Sequence, residues 1–460
     1  MTAVDPLKLH TFDLEAEGLY ERISEYVHRR THHDRERLGP PESATNLHEA
    51  LAGAISAGGL GSIRAFQLFT GVVDLECQAA DHPQFLAFVP YAPAVSAVLF
   101  DMALSTSGVF GTSWFEAAGA IAAENQALAW LADLAGMAAG SGGTFVSGGT
   151  VANVNGLAVA RHAWRATNGD SGRRVAFAAS AEVHSSVRTA AQVLEIDLID
   201  VPVDERGRLT GGALSRVLAS TDAEVCGVAA TAGITNLGVV DDLAGIARVC
   251  RDRNLWFHVD AAYGGAALVS PMTRHLFAGI EHADSLVIDP HKWLFTPLDC
   301  SALIYKDPEL ARATFTQVAA YLDIMHETAQ MNPSDLAVHL SRRSRGLPFW
   351  FMLVAHGTEV LRAAVEAGLL LTREAADIVR HTPYLELAIE PELSVVVFRR
   401  CGWSTHRYKA WCAQKLEEGI ALVLPTTWNG ETLMRFCFLN PRTTVANVQA
   451  LIDSMAIDPG

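Results

Sequence analysis

Basic residues are in short supply in this sequence. Its 35 lysines and arginines stand against 51 aspartates and glutamates, which gives a net charge of −16. A negative surface repels phosphate backbones and anionic lipids, so neither nucleic acid nor membrane is expected as a partner. Charges or glycines interrupt every apolar stretch before the ~18 residues of a membrane span. The N-terminal MTAVDPLKLHTFDLEAEGLYERI has no basic start followed by an apolar run, so we expect no secretion signal and a cytoplasmic location.

Cysteine is scarce as well. The cysteines at positions 77, 226, 250, 300, 401, 412 and 437 form no CxxC pair and are odd in number. This spacing favours reduced thiols that pack as small apolar residues, rather than a disulfide framework. We predict no metal site.

The composition is typical of a compact protein. Half of the 460 residues are hydrophobic and 19% are charged. A chain of this length is expected to form two or three structural units that share a large core. We predict an N-terminal helical arm over residues 1–85, a large α/β domain over 86–365 and a small α+β domain over 366–460.

Between residues 140 and 305, short β-rich runs alternate with helical stretches. The predicted strands are Val175–Ala179, Glu195–Val201, Val225–Ala230, Leu255–Val259, Ser285–Ile288 and Ser301–Tyr305. The predicted helices include Ala152–Trp164, Ser186–Leu194, Asp242–Arg253 and a long one over 347–380, with small-domain strands at Val395–Phe398 and Leu433–Cys437. This alternation favours a largely parallel sheet covered on both faces by helices. Ligands bind at the carboxyl ends of such strands, so the residues that follow each strand are candidates for chemistry.

Lys292 and Asp260 each follow a predicted strand. Lys292 stands between His291 and Trp293, and a desolvated lysine there could act as a nucleophilic amine. A solvated loop lysine is the alternative, although the flanking residues are not those of a surface turn. Asp260 ends an apolar strand, and a buried carboxylate needs a partner such as a protonated pyridine nitrogen. An N-cap or a salt bridge is the structural alternative for Asp260.

Three further motifs point to the same edge of the sheet. Gly148, Gly149 and Thr150 open a predicted helix and offer backbone N–H groups and a hydroxyl to an anion such as phosphate. His184 follows a strand and could stack on a flat ring or move protons. Thr235 lies in a turn after the predicted strand Val225–Ala230. Each signal is weak alone, but together they supply an amine, a carboxylate, an anion cradle, a histidine and hydroxyls at one edge.

These motifs together resemble a known enzyme family. Ser-Gly-Gly-Thr at 147–150, His184, TAGIT at 231–235, HVDAAYGG at 258–265 and DPHKW at 289–293 resemble the group II decarboxylases that depend on pyridoxal 5′-phosphate (PLP). That family includes the aromatic-L-amino-acid, glutamate and histidine decarboxylases. Matches at 82–85, 88–90, 111–114, Glu124 and 341–347 extend the resemblance to roughly residues 50–445. It implies the α/β architecture of PLP fold-type I (aspartate aminotransferase-like), with a largely parallel seven-stranded sheet.

The resemblance implies a role for each site residue. Lys292 would hold PLP as a Schiff base, and Asp260 would keep the pyridine nitrogen protonated, so that the ring accepts the electrons left when CO₂ departs. His184 would stack on one face of the ring. The remaining contacts are Ala262 on the other face, Gly148, Gly149, Thr150, Asp289 and His291 at the phosphate, and Thr235 near the 3′-oxygen. The reaction would be decarboxylation of an L-amino acid to the amine and CO₂ through a quinonoid intermediate.

The resemblance also implies a homodimer whose N-terminal arm packs across the two-fold axis. Its substrate pocket would be lined by Phe88, Val89, Pro90 and Tyr91, joined by Phe110 and Thr112 of the other subunit. These apolar walls favour an aromatic or hydrophobic amino acid. Thr112 stands where an aromatic-binding relative has a larger aromatic residue, and no cluster of arginine and lysine favours an acidic substrate.

One departure leaves the last step open. The family's mobile loop supplies a tyrosine that protonates the carbanion, whereas the corresponding stretch here, residues 322–336, contains no tyrosine. Relatives without this tyrosine can let dioxygen intercept the intermediate and form an aldehyde, which is the alternative reaction. Otherwise His326, His339 or Tyr321 supplies the proton. A non-catalytic homologue is a third reading, which the presence of both Lys292 and Asp260 disfavours.

Overall fold

A computed structural model describes residues 6–32, 38–169, 171–327 and 330–456 of the chain. Its α-helices are α1 (Leu14–Thr31), α2 (Ala44–Ala50), α3 (Ser62–Leu68), α4 (Val95–Ser107), α5 (Trp114–Leu134), α6 (Gly149–Asn168), α7 (Ser185–Val193), α8 (Gly211–Ser220), α9 (Leu243–Arg253), α10 (Pro308–Phe315), α11 (Leu347–His381), α12 (Thr405–Glu417) and α13 (Val445–Ser454). Its strands are β1 (Gly142–Val146), β2 (Val175–Ser180), β3 (Asp197–Val201), β4 (Glu224–Thr231), β5 (Trp256–Asp260), β6 (Ser285–Ile288), β7 (Ser301–Tyr305), β8 (Leu385–Ile389), β9 (Val395–Arg400), β10 (Leu424–Trp428) and β11 (Glu431–Cys437).

A seven-stranded sheet forms the centre of the molecule. Its strand order is β1-β7-β6-β5-β4-β2-β3, and β7 alone runs against its two neighbours. The strands from β6 to β3 pair in parallel, and most residues along them are buried because helices cover both faces of the sheet. The predicted α/β class and the largely parallel seven-stranded sheet are confirmed.

Strand β1 is absent from the predicted strands, although its end precedes the glycine motif. It begins Gly142-Gly143, and glycine is depleted in strands because it has no side chain to pack. The structure explains the choice of residue. A Cβ on Gly143 would lie 1.8 Å from the carbonyl oxygen of Leu303 on β7, so only glycine allows this pairing.

A second, antiparallel sheet lies near the C-terminus, in the order β10-β11-β9-β8. Sequence analysis identified β9 and β11, whereas β8 and β10 are additional. Residues before the large sheet also join this unit, since Leu86 N donates to Leu422 O (2.9 Å) and Cys437 N donates to Leu86 O (3.0 Å). The domain boundaries at 85/86 and 365/366 stay predictions.

The N-terminal helices pack loosely on the rest of the chain. Helix α1 has no buried residue, and its N-terminus is capped by Asp13, which accepts from Glu15 N and Ala16 N. Leu9 and Leu14 are 91% and 86% exposed. This segment therefore presents apolar side chains that the single chain does not cover.

Helix α11 confirms the long helix predicted over 347–380, with one interruption. Gly357 has φ = +75°, a left-handed conformation that breaks the helical path and that glycine adopts without steric cost. Among the described helices, none combines the length and the apolar character that a bilayer crossing requires. All seven cysteines are free thiols, and five of them are buried as small apolar residues.

Candidate active site

A cavity of about 370 Å³ opens at the carboxyl ends of the parallel strands. It is lined by Ser147, Gly148, Gly149, Thr150, His184, Ser186, Thr231, Gly233, Thr235, Asp260, Ala262, Tyr263, Asp289, His291, Lys292 and Leu298. All ten residues that sequence analysis assigned to catalysis or cofactor binding are in this set. The structure therefore brings the five separate motifs to one place.

Lys292 lies in the turn after β6, where its ammonium is paired with a carboxylate. Its Nζ is 2.9 Å from Oδ2 of Asp289. Burial acts to lower the pKa of Lys292, but Asp289 and Asp260 outweigh burial and hold this pKa above its ordinary value. The amine of Lys292 is therefore protonated and carries a positive charge. It must lose a proton before it can act as a nucleophile.

His291 is fixed beside the same carboxylate. Its Nδ1 accepts a hydrogen bond from Cys300 N (3.1 Å), so the neutral ring carries its proton on Nε2, which lies 3.6 Å from Asp289 Oδ2. Burial lowers the pKa of His291 against the opposing effect of Asp289. The arrangement makes Asp289 the shared partner of Lys292 and His291, while its contact with phosphate stays a prediction.

Asp260 is the last residue of β5 and is held by two donors. Its Oδ1 accepts from the backbone N–H of Ala262 (3.1 Å), and its Oδ2 accepts from Nδ2 of Asn153 (2.8 Å). These neutral donors orient the carboxylate without neutralising it. The second lone pair of each oxygen stays available to a cationic N–H group in the cavity.

His184 caps the N-terminus of α7. Its Nδ1 accepts from the backbone N–H of Ser186 (3.2 Å) and lies 2.7 Å from the Ser186 hydroxyl oxygen. A backbone N–H can only donate, so Nδ1 is an acceptor and the neutral ring carries its proton on Nε2. This leaves Nε2 as the nitrogen available to a bound molecule.

The start of α6 forms an anion cradle. The N–H groups of its first turn, which begins at Gly149 and Thr150, have no carbonyl partner within the helix, and the dipole of a 20-residue helix favours negative charge there. A Cβ on Gly149 would lie 3.0 Å from Asp289 Oδ2 and 3.2 Å from the Cβ of Ala262. Glycine therefore keeps open the space that a phosphate group needs.

Polar groups without a partner also point to a bound molecule. The hydroxyl of Thr231 and Oδ1 of Asp289 are buried and, among the described residues, have no hydrogen-bond partner. Such groups are costly unless a ligand or water satisfies them. The amine, carboxylate, anion cradle and flat cavity wall at Ala262 together fit PLP.

A search for relatives agrees with this geometry. The model of the pyridoxal-dependent decarboxylase conserved domain matches residues 67–401. The chain belongs to the pyridoxal-dependent decarboxylase family. Its cofactor is therefore PLP, and it is a carboxy-lyase that acts on an amino acid.

Two relatives and one solved structure show the breadth of the family. The chain is 30% identical to an aromatic-L-amino-acid decarboxylase of Bacillus atrophaeus over 82% of both chains. It is 32% identical to an L-2,4-diaminobutyrate decarboxylase of Rhizobium meliloti (strain 1021), over 81% of this chain and 77% of the relative. The crystal structure of Oryza sativa TDC with PLP and tryptamine superposes with a TM-score of 0.88 at 22% identity, covering 99% of each chain. The last match confirms the fold.

The predicted substrate residues of this decarboxylase do not line the cofactor cavity of their own chain. Phe88, Val89, Pro90 and Tyr91 lie before α4, and Tyr91 approaches the cavity wall only through a 3.4 Å hydrogen bond from Leu298 N to its hydroxyl. Phe110 and Thr112 line a separate cavity of about 340 Å³. Their assignment to the partner's pocket is consistent with this separation and stays a prediction.

The loop expected to cover the site lies beside that second cavity. Leu322, Ile324 and Met325 line it together with Phe110 and Thr112. His339, one of the candidate proton donors, contacts Pro333 O through Nε2 (3.2 Å) and is not among the residues that line the cofactor cavity. The side chains of Tyr321 and His326 lie outside the described part of the structure.

Sequence analysis assigned no role to three residues that hold the site together. Asn153 and Ser186 link Asp260 to His184. Arg435, on β11, donates from Nε and Nη2 to Thr235 O (3.0 and 2.7 Å) and so fixes the turn between the two sheets. Asn153 has a sequence signal, because it follows Gly149 by one helical turn and thus shares its face. Arg435 has none, since it is distant in sequence from the turn it holds.

Proposed function

We propose that this enzyme decarboxylates an aromatic or hydrophobic L-amino acid to the amine and CO₂, with Lys292, Asp260 and His184 as its catalytic residues. The observation that carries the proposal is the meeting of these three side chains in one cavity at the carboxyl edge of the sheet. PLP, when bound, supplies a carbonyl group that condenses with amines and a pyridine ring that accepts electrons from the broken Cα–carboxylate bond.

The chain's own residues then have distinct tasks. Lys292 would hold the cofactor through its ε-amine and would release it to the amine of the substrate. Asp260 holds a proton on the ring nitrogen by opposite charge, which keeps the ring an electron acceptor. The N–H groups at Gly149 and Thr150 hold the phosphate, and His184 and Ala262 restrain the ring from its two faces. A pocket that orients the substrate carboxylate and keeps water from it would make that carboxylate the group that leaves.

The substrate class is supported by the second cavity. It is lined mainly by apolar side chains, and Phe110 is 49% exposed although it is a large aromatic residue. Such a side chain is expected to meet an apolar partner. We propose that Phe110 and Thr112 of one subunit complete the substrate pocket of the other.

We propose a homodimer, because a pocket completed by Phe110 and Thr112 of another subunit requires a second copy of the chain. The exposed Leu9 and Leu14 of the N-terminal segment are suited to pack on a second copy. The double substitution Leu9→Asp/Leu14→Asp is expected to give an inactive monomer in sedimentation velocity. Val193→Asp, which changes an exposed apolar residue on α7, serves as the control. A fully active monomer would contradict the proposal. We also retain a cytoplasmic location, which suits the seven free thiols and is tested by cell fractionation.

The substrate is tested with a panel of the common L-amino acids and L-2,4-diaminobutyrate, using PLP-loaded enzyme. CO₂ and amine are measured together, with Lys292→Ala as the matched control. The proposal expects release of equal amounts of CO₂ and amine from tryptophan, tyrosine, phenylalanine or leucine. Turnover of only diaminobutyrate or glutamate would refute the substrate class and leave the reaction class in place.

A second reaction is favoured by one specific feature. No tyrosine occurs in residues 322–336, where the family's proton donor is expected. If dioxygen consumes the carbanion instead, the products are aldehyde, CO₂, ammonia and peroxide. The same assay with an oxygen electrode separates the two reactions, because amine formation without O₂ uptake excludes the aldehyde reaction.

A further inference from the structure

Beneath the cofactor cavity, buried polar side chains form a continuous hydrogen-bonded chain. Strand β5 reads Trp256-Phe257-His258-Val259-Asp260, so its three polar positions, 256, 258 and 260, point to one face. Helix α6 packs on that face with Asn153. Ser285 of the neighbouring strand β6 is the register partner of His258. The chain thus runs from one end of β5 to the cavity at the other.

Each link in this chain has a defined donor. The indole Nε1 of Trp256 can only donate, and it donates to Ser285 Oγ (2.8 Å). The Ser285 hydroxyl can accept this hydrogen bond and still donate its own proton to Nδ1 of His258 (2.7 Å). The tautomer of His258 is fixed from the Asp260 end, because a carboxylate can only accept and Nδ2 of Asn153 must therefore face it. Oδ1 of Asn153 then faces His258, whose neutral imidazole carries its proton on Nε2 and donates it to Oδ1 (2.9 Å).

The amide of Asn153 also connects Asp260 to His184. With Oδ1 facing His258, its Nδ2 group donates to both Asp260 Oδ2 and Ser186 Oγ, each at 2.8 Å. The Ser186 hydroxyl accepts this hydrogen bond and is left to donate to Nδ1 of His184 (2.7 Å). A reversed amide would aim its oxygen at the carboxylate of Asp260, which repels it.

Burial and close packing protect these hydrogen bonds from water. His258, Asn153 and Ser285 are completely buried. A Cβ on Gly156 would lie 2.7 Å from Cε1 of His258, so glycine one turn after Asn153 makes room for the ring. Burial also lowers the pKa of His258 to about 4, which keeps the ring neutral with a single donor.

We propose that His258 and Asn153 are positioning residues that aim Asp260 and His184 at the cofactor. The proposal rests on the proposed roles of those two residues. Together, His258 on β5 and Asn153 on α6 would fix the orientation of the Asp260 carboxylate and the tautomer of His184. Ser285 and Trp256 complete the chain at the far end, and the acceptor-only carboxylate of Asp260 sets its direction.

The test changes Ser285, at the far end of the hydrogen-bonded chain, and measures the effect at the histidines and at the cofactor cavity. Ser285→Ala removes the hydroxyl three hydrogen bonds away from Asp260 and leaves every cavity residue in place. Ser285→Thr retains a hydroxyl and serves as the conservative variant. Ser301→Ala is the matched control, because Ser301 also begins a buried strand and its hydroxyl, within the described structure, has no partner.

The first readout uses apoenzyme labelled with ¹⁵N-histidine. Long-range ¹H–¹⁵N spectra distinguish the two imidazole tautomers, and His184→Gln and His258→Gln assign the signals. Both rings are expected as the Nε2–H tautomer at pH 7.5 in the wild type, in Ser285→Thr and in Ser301→Ala. Asn153→Leu removes the acceptor of the Nε2 proton and lets the Ser285 hydroxyl accept from Nδ1 instead, so it is expected to give a mixture of tautomers at His258. An Nδ1–H or doubly protonated ring in the wild type would overturn the proposal.

The second readout is the dissociation constant of PLP, titrated by its absorbance. Loss of one orienting hydrogen bond is expected to weaken binding about tenfold in Ser285→Ala and in Asn153→Leu. Binding in Ser285→Thr and Ser301→Ala is expected within about twofold of wild type. Equal affinities in wild type, Ser285→Ala and Asn153→Leu would overturn the proposal. Both readouts use apoenzyme, so failure of the proposed reaction would show separately, as a wild type that releases no CO₂.

Discussion

The buried pair between Glu124 and Arg342 is expected to be costly to break from one side. The two side chains are 2% and 0% exposed. Arg342 donates from Nη1 and Nη2 to the two oxygens of Glu124, at 2.8 and 2.7 Å, and Nη1 also donates to Gly111 O (2.9 Å). Gly346 N donates to Glu124 as well (2.8 Å). Glu124→Gln keeps this shape but leaves the guanidinium charge uncompensated.

The expected cost is worked from this burial. Breaking one side of a buried pair costs about 3–5 kcal/mol, because the remaining charge is far from water. Nε of Arg342 has no partner in the described structure, and the other acceptor named above, Gly111 O, is neutral and does not compensate the charge. The same pair holds Gly111, next to Phe110 and Thr112, so we also expect a higher KM for the substrate.

Urea unfolding followed by tryptophan fluorescence, with refolding checked, measures this cost. A double-mutant cycle with Glu124→Leu and Arg342→Met isolates the coupling energy. The double variant is expected to be more stable than Glu124→Leu alone, since no charge is then left buried. A cost below about 1 kcal/mol for Glu124→Gln, or additive single effects, would refute the reasoning.

Three further predictions concern other parts of the molecule. Gly149→Ala is expected to weaken PLP binding at least about tenfold in an absorbance titration, because its methyl group would crowd Asp289 and Ala262 in the cavity wall and displace the start of α6; an unchanged affinity would contradict this. Arg435→Met removes two charge-assisted hydrogen bonds to Thr235 O and is expected to cost about 2–3 kcal/mol in urea unfolding, with Arg435→Lys recovering only part of it. Burial, with a smaller effect of Arg342, lowers the pKa of His339 to about 4. Because the unfolded chain binds a proton at His339 more readily than the folded protein, the free energy of unfolding is unaffected above pH 6.5 and decreases as the pH falls toward 4. The expected decrease is about 1–2 kcal/mol at pH 5, after allowance for partial exposure. His339→Gln should lose correspondingly less between pH 7.5 and 5, and an identical pH dependence would contradict the assignment.

Much of the cofactor site could be predicted because its residues lie in short motifs next to apolar strands. Ser285–Ile288 and Ser301–Tyr305 were predicted with the bounds that the structure has. Parallel strands bring their carboxyl ends to one edge, so motifs far apart in sequence had to meet there. The order of residues along the strands was therefore sufficient to place Lys292, Asp260 and His184 at this edge of the sheet.

The supporting contacts were not predictable in the same way. The link from Arg435 to the turn at Thr235 depends on how β11 packs against the large sheet, which no local spacing specifies. The direction of the chain through His258 and Asn153 depends on the donors available to each buried atom. Strand β1 was missed because its glycines reflect a close backbone approach rather than strand propensity.

We propose above that the amine of Lys292 carries PLP for decarboxylation. Reduction of the PLP-loaded enzyme with borohydride fixes the cofactor to the amine that holds it, and mass spectrometry of the peptides then locates it. We expect one pyridoxyl group on Lys292, and loss of both this label and CO₂ release in Lys292→Ala. A label on Lys8, Lys306, Lys409 or Lys415, or CO₂ release by Lys292→Ala at the wild-type rate, would contradict it.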